Sequence, residues 1–131
     1  MEERVSWRPG NMLYPVPAAL ISSTDSEGRH NVFTAAWVGT ICSDPAMTYV
    51  SIRPQRYSHE IISASRCFVI NLTTRALCEA TDYCGVVSGR DIDKFAKMNL
   101  TALPGTKVNA PLIAESPVNL ECEVREILNR R

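Results

Sequence analysis

Residues Val118-Asn119-Leu120-Glu121-Cys122-Glu123-Val124-Arg125 alternate apolar and polar side chains without a break. Successive side chains of an extended strand point to opposite faces, so the alternation buries one face and wets the other. A half-buried strand of this kind reads as antiparallel and needs a sheet to pair with. Four further runs supply one: Ala18 to Ser23, Asn31 to Ile41, Met47 to Ile52 and Cys67 to Leu72. The polar stretch Asp25 to His30, with Gly28, is a hairpin connection, and Asp44-Pro45 is a turn. Pro9, Pro15 and Pro17, with Gly10-Asn11, keep the first residues extended or turning. Leu103-Pro104-Gly105 is a further turn, and Pro111 and Pro117 punctuate another extended region.

Helices fit only in short pieces. Ser58 reads as an N-cap for a helix from His59 to about Ser65, with Tyr57 and Ile62 as a hydrophobic staple. Between Arg75 and Cys84, the residues Leu77, Ala80, Thr81 and Cys84 share one helical face, and Gly85 stands at the expected stop. Asp91 would cap a third helix whose Ile92, Phe95 and Ala96 face inward. Five strands in hairpin-like order with two or three short helices make a mainly β fold, a small β-barrel with helical excursions. At 131 residues this is a single domain spanning 1–131, able to bury roughly two thirds of its unfolded surface.

Charge narrows the partners. Fourteen basic residues balance fourteen acidic ones, so neither nucleic acid nor an anionic membrane has an electrostatic reason to bind. No stretch approaches the roughly 20 apolar residues of a membrane span, and Met1-Glu2-Glu3-Arg4 does not begin a signal peptide. The five cysteines, Cys42, Cys67, Cys78, Cys84 and Cys122, include no Cys-x-x-Cys pair. This argues against structural zinc and a dithiol redox pair, and for a cytoplasmic protein with reduced thiols.

Three constellations offer chemistry. In Ser51-Ile52-Arg53-Pro54-Gln55-Arg56-Tyr57-Ser58 a strand ends, two arginines follow and a helix begins. A helix N-terminus and a guanidinium fork suit a terminal phosphate; an ordinary solvated turn with a cap is the plainer reading. In Asn31 to Gly39 small residues flank Trp37, so that a flat ring can approach the backbone of Thr34, Ala35, Ala36 and Trp37; a tightly packed core strand is the alternative. In Cys84-Gly85-Val86-Val87-Ser88-Gly89-Arg90-Asp91-Ile92-Asp93-Lys94 two glycines form a loop that admits a ligand. Lys94 is either a countercharge or a solvated helix lysine, and Cys84 a candidate reactive thiol. No P-loop spacing is present, and His30 and His59 occupy no metal or triad spacing.

Taken together, these segments resemble the flavin reductase-like, flavoredoxin-type FMN-binding split barrels. The carriers are Asn31-x-x-Thr34-x-Ala36-Trp37, Pro45 leading to Val50-Ser51-Ile52, Arg56-x-Ser58 and Phe68-Val69-Ile70-Asn71. They continue with Cys84-Gly85-x-x-Ser88-Gly89 leading to Asp93-Lys94-Phe95, and Ala110-Pro111-Leu112-Ile113-x-Glu115-Ser116 before Leu120-Glu121-Cys122. The resemblance implies a Greek-key split barrel, a homodimer, and noncovalent FMN. Thr34, Ala35, Ala36 and Trp37 would follow the isoalloxazine. Ser51, Arg56 and Ser58 would hold the phosphate, with Arg53 and Lys94 as further candidates. Ile52 lies in the same stretch, and Asn71, Cys84 and Ser88 would sit near the site. Redox chemistry would belong to the flavin, fed by NAD(P)H or another carrier and emptied into a small molecule or redox protein, with no catalytic side chain. A domain that binds FMN or another phosphorylated ligand without turnover is the alternative. Relatives in this family continue beyond the last strand, whereas this chain stops at Ile127-Leu128-Asn129-Arg130-Arg131. A C-terminally truncated form is therefore expected.

Overall fold

The computed structural model describes residues 1–129, so the last two residues of the C-terminal segment noted above lie outside it. The strands are β1 (Ala19–Thr24), β2 (His30–Ala35), β3 (Val38–Ser43), β4 (Ala46–Val50), β5 (Cys67–Leu72), β6 (Ala102–Leu103), β7 (Leu112–Ile113) and β8 (Asn119–Glu123). The helices are α1 (Tyr57–Ser65), α2 (Cys78–Val86) and α3 (Lys94–Lys97), and a single 3-10 turn, Arg75–Leu77, leads into α2. This is the mainly β, antiparallel architecture expected from the sequence.

The central sheet has the order β2-β1-β5-β8, with each neighbouring pair antiparallel. β1 is buried at all six positions because both faces of the sheet are covered. On one face Ala19, Ile21, Phe33, Ala35, Phe68 and Ile70 meet Ile62 of α1, and Val38 and Val50 of the separate β3–β4 hairpin pack there too. On the other face Leu20 and Val32 meet Leu77 and Cys84 around α2, Phe95 of α3 and Ile113 of β7. The strand period of two thus sorts β1 and β2 into two cores, and each fully buried aliphatic side chain contributes roughly 1.5–3 kcal/mol. β8 pairs antiparallel with β5 from Cys67↔Glu123 to Asn71↔Asn119, but the clean burial of one face expected from its alternation is only partial, since Cys122 packs on the core while Leu120 is exposed.

Four local expectations need correction. The run from Asn31 to Ile41 is two strands, because the chain leaves the ladder at Ala36-Trp37 and enters a different sheet. Ser58 does not cap α1. The N-cap position is Arg56, without a side-chain cap, and Ser58 lies inside the helix with its hydroxyl bonded to Asn31. Gly85 does not stop α2, which runs one residue further. The third helix is capped by Asp93, whose carboxylate accepts from the Ala96 N–H at 3.2 Å; its inward residues are Lys94 and Phe95, while Ile92 and Ala96 are exposed. No helix among the described residues is long and apolar enough to cross a membrane.

Candidate functional site

A cavity of about 280 Å³ opens between the turn that precedes α1 and the segment that follows α2. Arg53, Gln55, Arg56, Tyr57 and Ser58 form one wall, and Val86, Val87, Ser88 and Gly89 the other. Asn31 and Phe33 of β2, with Lys94 of α3, complete it. Among the described residues this lining holds three cations and no carboxylate.

The fold fixes two of those cations with the end of α2. Helices leave their last carbonyls without intrahelical partners, and that end carries partial negative charge. The Arg56 guanidinium donates through Nη1 to the Gly85 carbonyl at 3.1 Å, and Lys94 Nζ donates to the Cys84 carbonyl at 3.0 Å. A guanidinium has five N–H donors and an ammonium three, so most of their capacity remains for a ligand. Lys94 is nonetheless only 3% exposed. Burial pulls its pKa down to about 8; the charge of the Cys84 thiol works against that shift and the neighbouring Arg56 charge reinforces it. An anion in the cavity would hold this ammonium protonated and relieve the repulsion.

Two serine hydroxyls are similarly poised. Asn31 Nδ2 donates to Ser58 Oγ at 2.8 Å, and the Arg90 N–H donates to Ser88 Oγ at 3.1 Å. Each oxygen is accepting, which leaves its own hydrogen to donate. Gly89 lies so close to the Asn31 side chain that a Cβ there would overlap the amide oxygen. A hydrogen in place of a side chain is what lets the loop close over β2. Cationic side chains, hydroxyl donors and the absence of an acid make a receptor for a phosphate-sized anion.

The remaining residues marked from the sequence fall elsewhere. Ala36 and Trp37, both exposed at the break between β2 and β3, border a second cavity of about 320 Å³. Tyr49, Val38 and the segment from Gly10 to Pro17 complete that cavity. From Asn31 at the cationic cavity to Ala36 at the aromatic one, just past the end of β2, the chain spans roughly 17 Å at strand rise. Ser51 is exposed outside both linings, with its N–H donated to the Trp37 carbonyl at 2.9 Å. Thr34 spends its hydroxyl on the Thr81 carbonyl. The side chains of Ala35 and Ile52 pack in the core beside α1.

Asn71 and Cys84 do not join the cavity. Asn71 is fully buried in the sheet, bonded to Leu20, Ser22, Ile113 and Asn119. Cys84 is fully buried too; burial raises its thiol pKa, opposed by the Lys94 charge, which contradicts a reactive thiol. Phe33, Gln55, Tyr57, Val86 and Val87 line the cavity without having been marked for it, and Gly89 lines it as one of the two loop glycines expected to admit a ligand. Gly89 had a readable signal, a glycine within Ser-Gly-Arg; the apolar lining residues had none. Among the described residues no group of His, Cys, Asp and Glu is arranged to hold a metal ion.

Comparison with known proteins places the fold. The structure is similar to flavoredoxin of Desulfovibrio vulgaris (Miyazaki F), with 34% identity and a TM-score of 0.90 over 98% of this chain and 69% of the other. Flavoredoxin from Methanosarcina acetivorans is similar at 30% identity, with a TM-score of 0.90, covering 98% and 68%. A protein of Archaeoglobus fulgidus of uncharacterised function is 36% identical over 112 residues. The match covers 86% of this chain, which spans 62% of that relative's length. Residues 11–130 match the family model for the flavin reductase like domain, and the chain with its split-barrel architecture belongs to that family.

Proposed function

We propose that the chain is an FMN-binding flavoprotein that transfers hydride or electrons as a flavin reductase or a flavoredoxin-like carrier. The observation that carries this reading is the cavity with Arg53, Arg56 and Lys94, two serine hydroxyls and no carboxylate, set at one end of β2. These residues fit the phosphate of FMN. The break at Ala36-Trp37, about one ligand length along the same strand, fits a flat ring read through main-chain groups. The likeness to two flavoredoxins supports the choice of ligand.

In this reading bound FMN would supply the redox chemistry, taking electrons from NAD(P)H or another carrier and yielding them to a small molecule or a redox protein. The protein's own residues bind and orient. Arg56 and Lys94 hold the phosphate while tied to α2, and Ser58 and Ser88 donate to its oxygens. The buried Lys94 stays protonated beside the anion. No side-chain acid or base takes part. We further propose a homodimer, a reading supported by exposed Trp37, Ile41 and Tyr49 around the β3–β4 hairpin, and a cytoplasmic location, a reading supported by its free cysteines.

Purified protein titrated with FMN should develop a bound-flavin absorption spectrum at micromolar ligand. Arg56→Ala should weaken FMN binding by about tenfold or more, from the loss of a charge-assisted hydrogen bond, and leave riboflavin nearly unchanged. Equal losses for the two ligands would refute the phosphate assignment. Anaerobic NAD(P)H should then bleach the bound flavin; tight FMN binding without bleaching by either nucleotide would favour a binding domain without turnover.

A further inference from the structure

After α2 the chain turns through Gly89–Asp91 and reaches back across the rim of the cationic cavity. Arg90 Nη2 pairs with Glu60 Oε2 at 2.9 Å, and the same guanidinium sits over the Tyr57 ring, 4.8 Å from its centre. Tyr57 and Glu60 are three residues apart on α1 and share one face. One arginine on the Val86–Gly89 side of the cavity thus clasps two residues of the opposite wall. Arg90 and Glu60 stand outside the lining, so the clasp contributes no ligand contact. Beneath it, Gly89 rests on Asn31, which in turn holds Ser58. The two walls meet at this turn and nowhere else along the rim does an ion pair join them among the described residues.

We propose that Arg90, clasping Glu60 and Tyr57, is a latch that holds the Val86–Gly89 wall against α1 and sets how long a phosphomonoester stays in the cavity. The proposal rests on the phosphate reading given above. Its strength suits that task. The side chains are 47% and 69% exposed, so the ion pair alone is weak, and stacking on Tyr57 adds a comparable increment. A tie of that size opens readily and still biases the loop toward closure.

The latch makes a prediction opposite in sign to simple electrostatics. Removing the Glu60 charge near a bound phosphate should slow release if charge alone mattered. With a latch, Glu60→Gln should speed FMN release by about three- to tenfold in a stopped-flow displacement assay, with riboflavin release unchanged. Arg90→Gln, which also loses the stacking on Tyr57, should speed release at least as much, and the double variant should add nothing beyond Arg90→Gln. In ligand-free protein, amides of residues 86–92 should exchange hydrogen faster in both variants. Unchanged or slower FMN release together with unchanged amide exchange would overturn the latch. A wild-type protein that binds neither FMN nor inorganic phosphate would instead refute the phosphate reading and the residence-time role with it. Faster exchange at 86–92 in that case would keep the clasp as a purely conformational tie.

Discussion

Two clusters of buried polar groups flank the central sheet, and they differ in how much hydrogen-bonding capacity is spent. Around Asn71 nothing is spare. Its Nδ2 donates to the Leu20 carbonyl and to Ser22 Oγ, both at 2.9 Å, and its Oδ1 accepts from the Ile113 N–H at 3.1 Å and from Asn119 Nδ2 at 2.7 Å. Ser22 passes its own hydrogen to the Pro111 carbonyl. Around Lys94 the account is open. Its ammonium and the Arg56 guanidinium each make one hydrogen bond to α2, and Ser58 and Ser88 accept without donating. Burial of a polar side chain therefore does not mark a binding site. Unspent donors of one charge sign are what the proposed phosphate site adds to burial.

The comparison can be broken first at its closed side. Asn71→Ala would strand the Ile113 N–H and take one of the two hydrogen bonds of the Asn119 amide, and should cost roughly 3–5 kcal/mol in chemical denaturation. FMN affinity of the folded fraction should hardly change. A loss of affinity without loss of stability would return Asn71 to the site.

The open side should respond in the opposite way. Lys94→Met removes a buried charge that the ligand-free fold holds at a disadvantage. Because the folded pKa lies below the unfolded one, the unfolded chain binds the proton more tightly. The penalty is full below pH 8 and fades as pH rises from about 8 toward the ordinary value of 10.5. At neutral pH Lys94→Met should therefore gain stability, on the order of 3 kcal/mol at most, while FMN binding falls by about tenfold or more. A destabilised variant would show that Lys94 holds the fold together.

A smaller effect sharpens the same point. FMN affinity of the wild-type protein should decline as pH rises through about 8, where Lys94 loses its proton. The decline should vanish in Lys94→Met and be absent for riboflavin. A pH-independent wild type would place the phosphate away from Lys94.

The sequence disclosed those features that depend on near neighbours. β5 follows from its apolar run Cys67 to Ile70, and the existence of β8 from its alternation, although only Cys122 and Val124 of that apolar face reach the core while Leu120 is exposed. Arg53 and Arg56 were legible because a strand end, a turn and a helix start are local events. Ser58 looked like a cap for the same local reason, yet Asn31, 27 residues away, claims its hydroxyl. Lys94 could be read as solvated or buried, and only the packing of α3 beside α2 decides. Asn71 carried a motif-level signal, but its four partners come from three other strands. Long-range pairing, not residue type, assigned these side chains their roles.

β2 is an edge of the four-stranded sheet, paired among the described residues with β1 alone. Its outward main-chain groups between the two cavities are not committed to a ladder. A ring recognised along that edge would be read through peptide groups that every amino acid carries. Side chains there could then drift over evolutionary time without loss of recognition, provided they stay small. Selection on this stretch would act on bulk and backbone path, while selection on chemical identity would concentrate on the charged pocket at its other end.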